Sequence, residues 1–69
     1  MIKHIQVEVK SYPQENLDFY IATLSVEGKY IIASKGEVLD TVMSDIYGEV
    51  ATITRDFTSR GFKVEVIEV

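Results

Sequence analysis

Between positions 39 and 57 the residues Leu39, Met43, Ile46, Val50, Ile53 and Phe57 recur at intervals of 4, 3, 4, 3 and 4. That spacing draws one apolar stripe along an α-helix, which Val38, Val42 and Tyr47 widen near its start. A single amphipathic helix must bury its stripe against another element. The rest of this chain offers strands for that purpose. The helix has punctuation at both ends. Ser34-Lys35-Gly36-Glu37 fits S-x-x-E, a capping box with Ser34 as N-cap and Glu37 at N3. Gly61 fits the left-handed C′ position, with Phe62 at C″ packing on Phe57, the apolar contact of a Schellman motif.

Around the helix the pattern changes to period two. In MIKHIQVEVK, Ile5, Val7 and Val9 point one way and His4, Gln6, Glu8 and Lys10 the other, as in a half-buried strand. Residues 11–16, SYPQEN, hold the sole proline and several turn formers and read as a loop. LDFYIATLSV is apolar at both parities, with Phe19 and Ile21 on one face and Tyr20, Ala22, Leu24 and Val26 on the other. Such a strand is buried on both sides. Glu27-Gly28 is a tight turn, KYIIAS the returning strand, and FKVEVIEV a last strand after the helix. The order is β-β-β-α-β in a single α+β domain over residues 1–69. Two hairpins make the first three strands an antiparallel meander. A right-handed crossover then sets strand four beside strand one. The expected sheet is mixed and four-stranded, in the order 3-2-1-4, with the helix on one face.

Composition limits the chemistry. The 69 residues contain no cysteine and one histidine, so disulfides, thiolate metal sites and a histidine zinc cluster within one chain are excluded. A domain this small gains stability from oligomerisation when those other routes are closed. Seven Lys and Arg face eleven Asp and Glu, a net charge of −4, and the basic residues are scattered, which disfavours nucleic acid. No apolar run has the length of a membrane span, and the N-terminus lacks the apolar core of a signal peptide. The expected setting is therefore cytoplasmic, without a membrane or a cofactor.

Two surfaces are candidates for contact. Tyr20, Leu24, Val26, Ile67 and Val69 are expected together on the sheet face opposite the helix, where one helix cannot cover them. Gly48 lies opposite the apolar stripe with Thr41, Ser44 and Thr52, a small-residue face that lets another helix approach. Alternatively, Gly48 is tolerated there or bends the helix. Both surfaces point to a homodimer, more through the sheet than through the helix. His4 reads as a surface residue. Asp45, Glu49 and Asp56 form an acidic edge that reads as solvated, Ser34 and Ser44 lack an activating base, and Tyr12 beside Pro13 is a plausible contact in the loop. No catalytic, metal or cofactor site emerges.

The β-β-β-α-β order resembles the partial RNase H-like domain of HicB-type antitoxins, over GKYIIASKGEVLDTVMSDIYGEV, residues 28–50, where a strand leads through a turn with glycine and acid into the helix. That resemblance implies toxin neutralisation and oligomerisation. The sequence lacks the family's proline- and glycine-containing segment after the second strand, and no DNA-binding extension is expected after Val69. In size and arrangement the chain is also similar to the small Yopt-like proteins of Bacillus prophages, which implies a homodimer of one helix and a few strands. The expected function is a non-enzymatic homodimer that binds another protein. The alternatives are a nucleic-acid-binding dimer, or a small-ligand or metal binder using the acidic helix edge.

Overall fold

The computed structural model describes residues 1–15 and 17–69. The elements are β1 (Ile2–Gln14), β2 (Leu17–Val26), β3 (Lys29–Gly36), α1 (Leu39–Ser59) and β4 (Lys63–Glu68). They form one four-stranded sheet in the order β3-β2-β1-β4, with α1 packed on one face. β1 pairs antiparallel with β2 and parallel with β4, and β2 pairs antiparallel with β3.

The first hairpin is longer than its sequence suggests. Residues 11–14, expected in a loop, continue β1, and the ladder runs to Gln14 opposite Leu17. Asn16, the end of that expected loop, lies outside the described residues. Proline is tolerated here because β4 accompanies β1 only as far as Val7, which leaves Pro13 on a free edge. β3 accompanies β2 only from Tyr20 onward. Residues 11–14 and 17–19 therefore project as a two-stranded arm from a molecule measuring 47 × 18 × 14 Å. The second hairpin turns through Glu27 and Gly28 at φ 51° and 80°. Positive φ at both positions is the type I′ pattern that matches strand twist. The Glu27 carboxylate lies 3.8 Å from Lys3 and 3.6 Å from His4 Nδ1, which ties the turn to β1.

The expected capping box does not form. Ser34 and Gly36 stay in β3, opposite Ala22 and Tyr20, and the helix starts after Val38 with no side-chain cap. Sheet pairing claims the Ser34 backbone, and its hydroxyl instead donates to Asp45 at 3.1 Å. The C-terminal signal reads true. Phe62 N–H donates to Phe57 C=O and Gly61 N–H to Thr58 C=O, with Gly61 at φ 87°. These are the paired bonds of a Schellman motif. The Phe57 and Phe62 rings meet edge to face at 6.0 Å, and the Lys3 ammonium sits 4.7 Å from the centre of the Phe62 ring.

The core is Ile5, Val7, Ala22 and Leu24 from the sheet against Val42, Ile46 and Val50 from α1. This corrects the expected second face. Val7 pairs with Leu24 and Ile5 with Val26, so these side chains share the helix side. Leu24 is fully buried there, and Tyr20 and Val26 pack half-buried against the same core. They cannot form a sheet-face contact with a second copy. Ile67 does point to the open face, paired with Gln6 across the parallel ladder, and Val69 lies just past β4, its N–H bonded to Val7 C=O at 2.8 Å.

Candidate interaction surface

The open sheet face mixes polar side chains with apolar ones, Ile2, Tyr12, Phe19 and Ile67 among the latter. β1 contributes His4, Gln6, Glu8 and Lys10 to it, and β4 contributes Lys63 and Glu65. On β2, Ile21 lies between Lys10 and Lys35, and Thr23 lies between Glu8 and Ala33. Lysine stems cover neighbouring apolar surface while their ammonium groups stay in water. Glu8 and Lys10 also pair with each other at 3.3 Å.

The outer side of α1 carries the exposed Thr41, Ser44, Gly48 and Thr52, placed as expected from the sequence. A Cβ at Gly48 would meet nothing within 4 Å, so no packing inside the chain requires the glycine. Thr52 turns its hydroxyl back onto Gly48 C=O at 3.2 Å. Along the acidic edge, Asp45 accepts from Ser34, and Asp56 pairs with Arg60 at 3.0 Å. Among the described residues no three acidic or histidine side chains converge on one point, and no cavity opens. The basic residues do not gather either, since Lys3, Lys10 and Arg60 are each occupied with a separate carboxylate.

Two tyrosines are perturbed. The Tyr47 hydroxyl donates a hydrogen bond to the Glu68 carboxylate, which, with some burial, holds that hydroxyl above its ordinary 10.0. This bond ties the end of β4 to the helix. Burial, then the neighbouring Asp18 carboxylate 3.3 Å away, likewise raises Tyr20.

An uncovered apolar run lies where the sequence did not announce it. β3 is an outer strand, and its centre exposes Tyr30 at 65%, Ile31 at 49% and Ile32 at 40%. Val38 and Leu39, at the start of α1, are exposed as well. The signal was available in the order 3-2-1-4: it puts YIIAS, five uncharged residues between Lys29 and Lys35, on an open edge. An edge strand presents unpaired N–H and C=O groups, a template for another strand. The ladder irregularity near Leu24 and Ser25 makes Ile31 the extra residue of a bulge.

No family model matches the chain, and no curated protein or solved structure matches it. No helix is long and apolar enough to cross a membrane.

Proposed function

We propose that this chain is a non-enzymatic interaction module that works as a homodimer joined along β3 and binds another protein. The observation that carries this reading is the run Tyr30, Ile31 and Ile32, exposed on an edge strand whose backbone can still pair. Burying those three side chains removes apolar area from water at roughly 25 cal/mol per Å², the gain a small domain otherwise lacks. A protein partner, in the antitoxin-like form of the reading, draws its support from the β-β-β-α-β order alone. A cytoplasmic setting belongs to the same proposal and suits a chain without cysteine.

Sedimentation equilibrium at micromolar concentration tests the dimer. The expected mass is twice the 7.8 kDa of one chain. A single chain mass up to several hundred micromolar would remove the proposal. Affinity capture followed by mass spectrometry tests the partner: a second protein held in stoichiometric amount supports that part, and recovery of this chain alone removes it.

A further inference from the structure

We draw no further inference here: the strongest candidate, the surface patch on the two-stranded arm of residues 11–14 and 17–19, where Tyr12 and Leu17 are exposed on the side away from α1, is an unpartnered apolar face, and nothing in the structure shows what covers it.

Discussion

The two edges of this sheet are built on opposite plans. β3 has five uncharged residues in its centre, three of them large and exposed, with lysines only at the flanks. β4 alternates Lys63, Val64, Glu65 and Val66, ends in Glu68, and has that glutamate fastened to α1 through Tyr47. Charges along an edge discourage a second strand, whereas an uncharged β-branched run invites one. If both edges were adhesive, copies would add head to tail without end. On the proposed reading, one adhesive edge and one guarded edge limit association to a pair. The bulge at Ile31 and the flanking lysines restrain β3 as well.

The most damaging change strikes the support that both edges share. Leu24 is fully buried beneath α1, so Leu24→Ala should cost about 2–5 kcal/mol, read from urea unfolding. A loss below about 1 kcal/mol is what a surface position gives and would contradict its place in the core. Next comes a matched pair of substitutions. Ile31→Lys on β3 should raise the dimer dissociation constant about tenfold or more, while Ile67→Lys, on the open face at β4, should leave it unchanged. Equal effects in sedimentation would abolish the distinction between the edges.

A smaller effect is expected at the guard on β4. Tyr47→Phe removes the hydrogen bond to Glu68 and should cost about 0.5–1.5 kcal/mol, without altering association. The Tyr47 hydroxyl titrates above its ordinary 10.0 when folded, so the unfolded chain releases that proton first. Stability from this bond is full below that ordinary value and falls as pH rises through the folded value. The native chain should thus lose stability above about pH 10 more steeply than Tyr47→Phe, by denaturant titration at each pH. The smallest change is a gain. Gly48→Ala fills open space on the helix and should add about 0.5–1 kcal/mol with no change in dimer affinity. A shift in affinity would make the outer helix face a contact after all.

Much of the fold was legible because local signals agreed. The 4-3-4-3-4 stripe located α1, and Gly61 with Phe62 ended it as expected. The crossover rule placed β4 beside β1. Where two local signals competed, tertiary pairing decided. Ser34 could cap a helix or extend a strand, and the ladder to Ala22 won. Pro13 suggested a loop, but an unaccompanied edge accommodated it. The face of β2 could not be read from β2, which is apolar at both parities. It was readable from β1 together with the turn: any hairpin loop with an even number of residues puts Val7 and Leu24 on the same side. Pattern along one strand says that faces differ, and only pairing with its neighbour says which face is covered. The exposed centre of β3 was missed for a related reason, since its apolar residues become a surface only once strand order makes β3 an edge.

Residue-resolved amide hydrogen exchange at several protein concentrations compares the two edges within one sample. Edge pairing requires that the outward amides of β3, around Ile32 to Ser34, slow as concentration rises, while the outward amides of β4 exchange at a constant rate. Amides of β3 that exchange as fast as those of β4, independent of concentration into the hundreds of micromolar, would show a strand left open to water and no second copy upon it.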